Sequence, residues 1–116
     1  NMIVRLIDFD IKSTETNSMK QIFINLPVED LDKSMAFYTQ LGFTNYPLFT
    51  SKAQKCMTWG EDIYVMLQSK DFFGSVIKKT ISDTKNYIAA SFTLPVKSLD
   101  TVNKIVENGL KAGGVE

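Results

Sequence analysis

Leu26-Pro27-Val28-Glu29-Asp30-Leu31-Asp32 recurs later in the chain as Leu94-Pro95-Val96-Lys97-Ser98-Leu99-Asp100, with five identical letters and a proline on the same slot in each copy. Self-similarity of this kind means that one supersecondary unit has been used twice, and that neither copy need be stable alone. The 116 residues fit a single domain, so the expectation is one domain made of two modules.

Each copy joins a strand to a helix. In the first, Ile22, Ile24 and Leu26 alternate with Phe23 and Asn25, the period of two that a half-buried strand requires. Pro27 then closes the strand. Glu29 and Asp30 supply an N-cap and negative charge where free N–H groups and the helix dipole favour them. Leu31, Met35, Tyr38 and Leu41 follow at helical spacing and Gly42 is a natural stop, which predicts a helix over 31–41. In the second copy, Ala90, Phe92 and Leu94 alternate with Ala89, Ser91 and Thr93 as a strand, and Ser98 takes the N-cap. Leu99, Val102, Val106 and Leu110 form a stripe expected to be buried, and Gly113-Gly114 marks the exit.

Between the copies, residues 43–50, 54–58 and 63–68 read as strands, with Gly60-Glu61-Asp62 turning the chain between the last two. Residues 71–81 read as a short linking helix and 82–86 as a polar loop. The first module therefore runs strand, helix, strand, strand, strand.

Composition narrows the function classes. Lys plus Arg equals Asp plus Glu at 13 each, so no global field steers the chain toward nucleic acid or an anionic membrane. No apolar run is long enough to span a bilayer, and residues 2–11 are broken by Arg5, Asp8 and Asp10, which makes a poor signal peptide; a cytoplasmic chain is expected. Cys56 is the single cysteine and there is no histidine. That removes an internal disulfide, a Cys-rich zinc cluster, the usual general base and the commonest metal ligand.

The pattern Val28-x-Asp30-Leu31-x-x-Ser34-x-x-Phe37-Tyr38-x-x-Leu41-Gly42-Phe43 resembles the opening signature of the vicinal oxygen chelate superfamily, which includes glyoxalases, bleomycin-resistance proteins and extradiol dioxygenases. The resemblance extends over residues 19–114 and implies an α+β fold of paired βαβββ modules whose curved sheets enclose a cup, commonly as a homodimer. Module boundaries follow at 19–70, with a linker over 71–86 and the start of a second module over 87–116. The second module would be truncated, lacking about three of the strands the family pattern implies. Residues 1–18 have no counterpart in the signature; they read as a leader or, from their alternation, as an added edge strand.

The resemblance also implies metal positions, and here they are filled by the wrong side chains. Relatives place His or Gln at the positions of Phe23 and Ser91, and a glutamate at the one matching Met66. Divalent cations of that type want imidazole nitrogen or carboxylate oxygen, so no metal and no cofactor is expected. By strand parity, Phe23 and Asn25 face the cup from the first strand, Tyr64, Met66 and Gln68 from the fourth, and Ser91 and Thr93 from the second module. Such a lining suits a small organic molecule better than a bare ion, although each of these side chains could equally be filling a sheet face.

Other candidates are weaker. Glu61 and Asp62 are adjacent in a turn and point apart, unlike a catalytic dyad. Cys56 lacks a partner to lower its pKa and reads as a small hydrophobe. Trp59 could stack a planar ligand or cap the core, Lys78-Lys79 reads as solvated surface, and no Gly-rich phosphate loop is present. The expected function is metal-free binding of a small molecule in the cup. The alternatives are a glyoxalase-like lyase or isomerase of the lactoylglutathione-lyase kind, whose catalytic group lies outside this chain, and an interaction domain with a filled cup. A homodimer covering the unfinished sheet is expected as the partner.

Overall fold

The alternation of Ile22, Ile24 and Leu26 resolves as β1 (Ile22–Val28) in a computed structural model that describes residues 20–83, 85–88 and 90–115. The leader expectation for residues 1–18 therefore lies outside the described residues. Pro27 does not close β1 but sits within it, paired in register with Gln68. A proline lacks the N–H a central strand must donate, and it is tolerated here because β1 is the last strand of the described sheet.

Asp30 caps α1 (Leu31–Leu41), its carboxylate accepting from Lys33 N at 3.0 Å. Gly42 ends the helix in the left-handed region, φ 112°, where its N–H reaches back to the Thr39 carbonyl. The strand expected over 43–50 shrinks to β2 (Thr44–Asn45), because Pro47 opens a 3-10 helix over Pro47–Phe49. A proline at the first helical position is pre-set in φ and ends strand pairing at once. Then β3 (Gln54–Trp59) and β4 (Ile63–Ser69) form the antiparallel hairpin expected from the 60–62 turn, with Gly60 at φ 73°. The sheet order is β1-β4-β3-β2, with β1 parallel to β4.

The linking helix is shorter than the sequence suggests. α2 (Lys70–Ile77) is capped by Ser69, whose hydroxyl accepts from Phe72 N, and it stops at Lys78 in a left-handed conformation, φ 61°. Among the described residues no helix is long and apolar enough to cross a membrane.

Two side-chain layers result, one on each face of the sheet. Leu31, Met35, Tyr38 and Leu41 of α1 press onto Phe43, Met57, Val65 and Leu67, which form the main core with Leu26 and Val28. Leu67 and Met57 are fully buried, each contributing about 1.5–3 kcal/mol from burial alone. Cys56, Tyr64 and Met66 form a second buried cluster on the opposite face.

The second copy of the repeat departs from the first. Residues 90–97 form no strand, although Ala90, Phe92 and Leu94 alternate like one. Alternation is only a pattern of side chains; a strand also needs a neighbour for its backbone, and no described residue supplies one. Ser98 does cap α3 (Leu99–Lys111), accepting from Thr101 N at 3.1 Å. The stripe expected to be buried is instead exposed: Leu99 is 73% exposed, Val102 42%, Val106 41% and Leu110 46%. α3 packs on α1 through a different side, at Gly109, where an added Cβ would lie 2.9 Å from Leu41 Cδ2. The close approach to α1 uses the one position without a side chain, leaving the larger apolar row facing outward.

Candidate functional site

The residues expected at the cup divide into two groups. Phe23, Asn25, Tyr64, Met66 and Gln68 share the sheet face opposite α1, with Phe23 beside Tyr64 and Asn25 beside Met66 in register. Ser91 and Thr93 do not join them. Both are exposed in the strandless segment, because the parity that would have aimed them inward has no strand to act on.

One half of this face is aromatic. The Phe23 and Tyr64 rings stack with centroids 4.4 Å apart and planes 8° apart. Phe49 meets Phe23 edge-on at 5.7 Å, and Tyr46 meets Tyr64 edge-on at 5.5 Å. Tyr46 and Phe49 reach this position because the proline-initiated 3-10 helix folds the chain back over the sheet. Neither was singled out from sequence; Pro47 in the middle of a strand-like run was the available signal.

The other half is a chain of amides. Gln68 Nε2 donates to Asn25 Oδ1 at 3.5 Å and to Gln54 Oε1 at 3.2 Å, and Gln54 Nε2 donates to the Phe49 carbonyl at 3.0 Å. Gln54 and Gln68 are register partners across β3 and β4, so the spacing is set by the ladder itself. Gln68 is only 8% exposed. Among the described residues, no hydrogen bond uses Asn25 Nδ2 or Gln68 Oε1, which leaves a donor and an acceptor adjacent and unmatched. At the aromatic end, Gln21 Nε2 lies 3.4 Å from the Tyr64 hydroxyl while Gln21 Oε1 is buried with no partner.

Among the described residues, the strand positions on this face carry no charged side chain. The strand positions that point this way are Phe23, Asn25 and Pro27, Tyr64, Met66 and Gln68, and Gln54, Cys56 and Thr58; no Asp, Glu, Lys or Arg is among them. Its acidic groups are held protonated. Burial pushes the Cys56 thiol up to about 11. Burial, followed by the neighbouring Tyr46, Cys56 and Asp62, also raises the Tyr64 hydroxyl above its ordinary value. Such a face can hold and orient a molecule, but it offers no group poised to take a proton near neutrality. Cys56 is fully buried, and Trp59 packs on Phe43 at 5.0 Å on the other side of the sheet, where it caps the core.

Two open grooves lie elsewhere, both between α1 and α3. One of about 360 Å³ runs past Trp59, Gln40 and Lys104, and one of about 300 Å³ past Phe37, Gly109 and Val115. Neither touches the amide chain.

Comparison with known proteins places this geometry. Residues 20–53 match the family described as bleomycin resistance protein-like N-terminal. Among solved structures, a hypothetical protein from S. aureus superimposes with a TM-score of 0.70 at 24% identity, covering 84% of this chain and 72% of that one. A glyoxalase/bleomycin resistance protein/dioxygenase family enzyme from Burkholderia phytofirmans PsJN superimposes with a TM-score of 0.59 at 17% identity, covering 78% of this chain and 71% of its own. At these identities the likeness is one of fold. No protein of curated function matches the chain significantly.

The donor set does not fit a divalent metal of the glyoxalase kind. Phe23 offers only carbon, Met66 only a thioether, and Ser91 stands exposed away from both. Among the described residues, no three His, Cys, Asp or Glu side chains converge on a point.

Proposed function

We propose that the chain is a member of the vicinal oxygen chelate superfamily and a metal-free binding protein for a small, uncharged organic molecule, a reading supported by the family match over residues 20–53 and by the fold shared with solved structures. The observation that carries this reading is the unmatched pair, Asn25 Nδ2 and Gln68 Oε1, at the open end of an amide chain on a face whose described strand positions carry no charged side chain. A donor beside an acceptor complements a ligand that itself carries an amide-like edge, and a nearly buried Gln68 would recognise it with little loss of side-chain freedom. Phe23, Tyr64 and Met66 would form the wall behind it. Binding of this kind protects or sequesters its ligand and needs no catalytic group. Cytoplasmic residence belongs to the same reading, supported by a lone, buried, unpaired thiol.

The test is a thermal-shift and calorimetric titration with uncharged aromatic lactams and their carboxylate analogues. Saturable binding of a lactam, unaffected by EDTA and weakened about 10- to 100-fold in Gln68→Leu or Asn25→Leu, is the expected result. Binding confined to carboxylates, or lost on chelation, would overturn it.

A further inference from the structure

An amide side chain carries a donor and an acceptor on ends of nearly equal shape, so a hydrogen-bonded row of amides can run in either direction unless something fixes one end. Here the backbone fixes it. Gln54 Nε2 lies 3.0 Å from the Phe49 carbonyl, a group that can only accept, and the short connection between them is itself tied by Ser51 N donating to the Gln54 carbonyl at 2.9 Å. Turning the Gln54 amide round would set oxygen against oxygen.

The remaining orientations follow in order. Gln54 must show Oε1 to Gln68, so Gln68 answers with Nε2, at 3.2 Å. The second hydrogen of that same nitrogen goes to Asn25, which has to present Oδ1, at 3.5 Å. Gln68 is too deeply buried for water to compensate a reversed amide. The atoms left over, Asn25 Nδ2 and Gln68 Oε1, are thus chosen at a distance, by a carbonyl that the proline-initiated 3-10 helix delivers to Gln54.

We infer, on the reading of this face as a binding site, that Gln54 is the positioning residue that sets its specificity: it holds Gln68 with the oxygen outward, and so selects molecules that bring an N–H to that point and a carbonyl to Asn25. Gln54 itself offers neither of the two unmatched atoms. Selection of this kind works by rejection, since a molecule with no N–H leaves the Gln68 oxygen buried and unpaired.

Titration with 2-pyridone and with 2-methoxypyridine, which keeps the ring and loses the N–H, gives the test. The unmodified protein should favour 2-pyridone about 10- to 100-fold. In Gln54→Leu and in the nearly isosteric Gln54→Met, Gln68 is free to turn its nitrogen outward toward the methoxypyridine ring nitrogen, and the preference should disappear. Gln54→Glu keeps an acceptor facing Gln68 while giving up the donor to Phe49, so it should retain the preference; a merely structural role would make it behave like the other two. With no ligand present, the side-chain NH2 signals of Gln68 should exchange slowly with solvent and those of Asn25 quickly, and Gln54→Leu should abolish the difference. A preference unchanged in Gln54→Leu and Gln54→Met, one lost in Gln54→Glu as well, or NH2 groups of Asn25 and Gln68 that exchange alike in the unmodified protein would each overturn the assignment. Ordered exchange with neither pyridine bound would instead overturn the binding reading, and the specificity role with it.

Discussion

The two copies of the Leu-Pro-Val repeat start identically and finish differently. In the first, α1 lays Leu31, Met35, Tyr38 and Leu41 onto a sheet that supplies Val65, Leu67 and Met57. In the second, α3 has an equally good cap and a stripe of comparable length, and the stripe faces water. Cap, dipole and periodicity are thus enough to form a helix, but they do not decide what the helix buries; that depends on whether strands are present to receive it. The segment before each helix teaches the same lesson, since β1 exists by pairing with β4 while residues 90–97 have no such neighbour.

The sharpest way to break this comparison is to truncate each stripe's contact. Leu67→Ala, under α1, should cost about 2–5 kcal/mol in urea unfolding, whereas Leu99→Ala in a dilute sample should stay within about 0.5 kcal/mol. Equal losses would show that α3 is part of the same cooperative core. High pH separates the regions next, because the buried thiol lies only in the first. Cys56 is held up to about 11 in the fold against about 9 when unfolded. Its contribution is fully present below pH 9 and lost as pH rises toward 11, a decline on the order of 2 kcal/mol that Cys56→Ala should flatten, read from urea midpoints at each pH. The smallest effect is at the caps. Asp30→Ala and Ser98→Ala should each cost about 1 kcal/mol locally, but hydrogen exchange should show the first loss spread over the sheet and the second confined to α3. A Ser98→Ala loss that spreads into β4 would erase the distinction.

Much of the first module was legible because its signals are local. α1 ends where Asp30 and Gly42 say it should, and β3 and β4 follow their alternation to within a residue. Parity alone brought Phe23, Asn25, Tyr64, Met66 and Gln68 to one face. The place of Gln54 in the amide chain depends on register between β3 and β4, which no single strand encodes. Tyr46 and Phe49 are hidden in a strand-like run whose Pro47 opens a turn, which carries both rings over the sheet. Ser91, Thr93 and the α3 stripe lie where their own patterns do not predict for a common reason: burial and strand formation are relations between segments, and the pattern within one segment carries only half of each.

Pro27 leaves β1 short of one donor, and Pro95 repeats that deficiency at the matching slot of the second copy. Duplicating a strand-forming unit within one polypeptide carries a hazard, because identical segments can substitute for one another, between molecules as well as within them, and strand addition can then continue without limit. A residue with no N–H at a fixed point in both copies interrupts any ladder that would grow across them. A strand adding to the outer edge of β1 would therefore find one donor missing from its ladder, which limits edge-to-edge growth of the sheet.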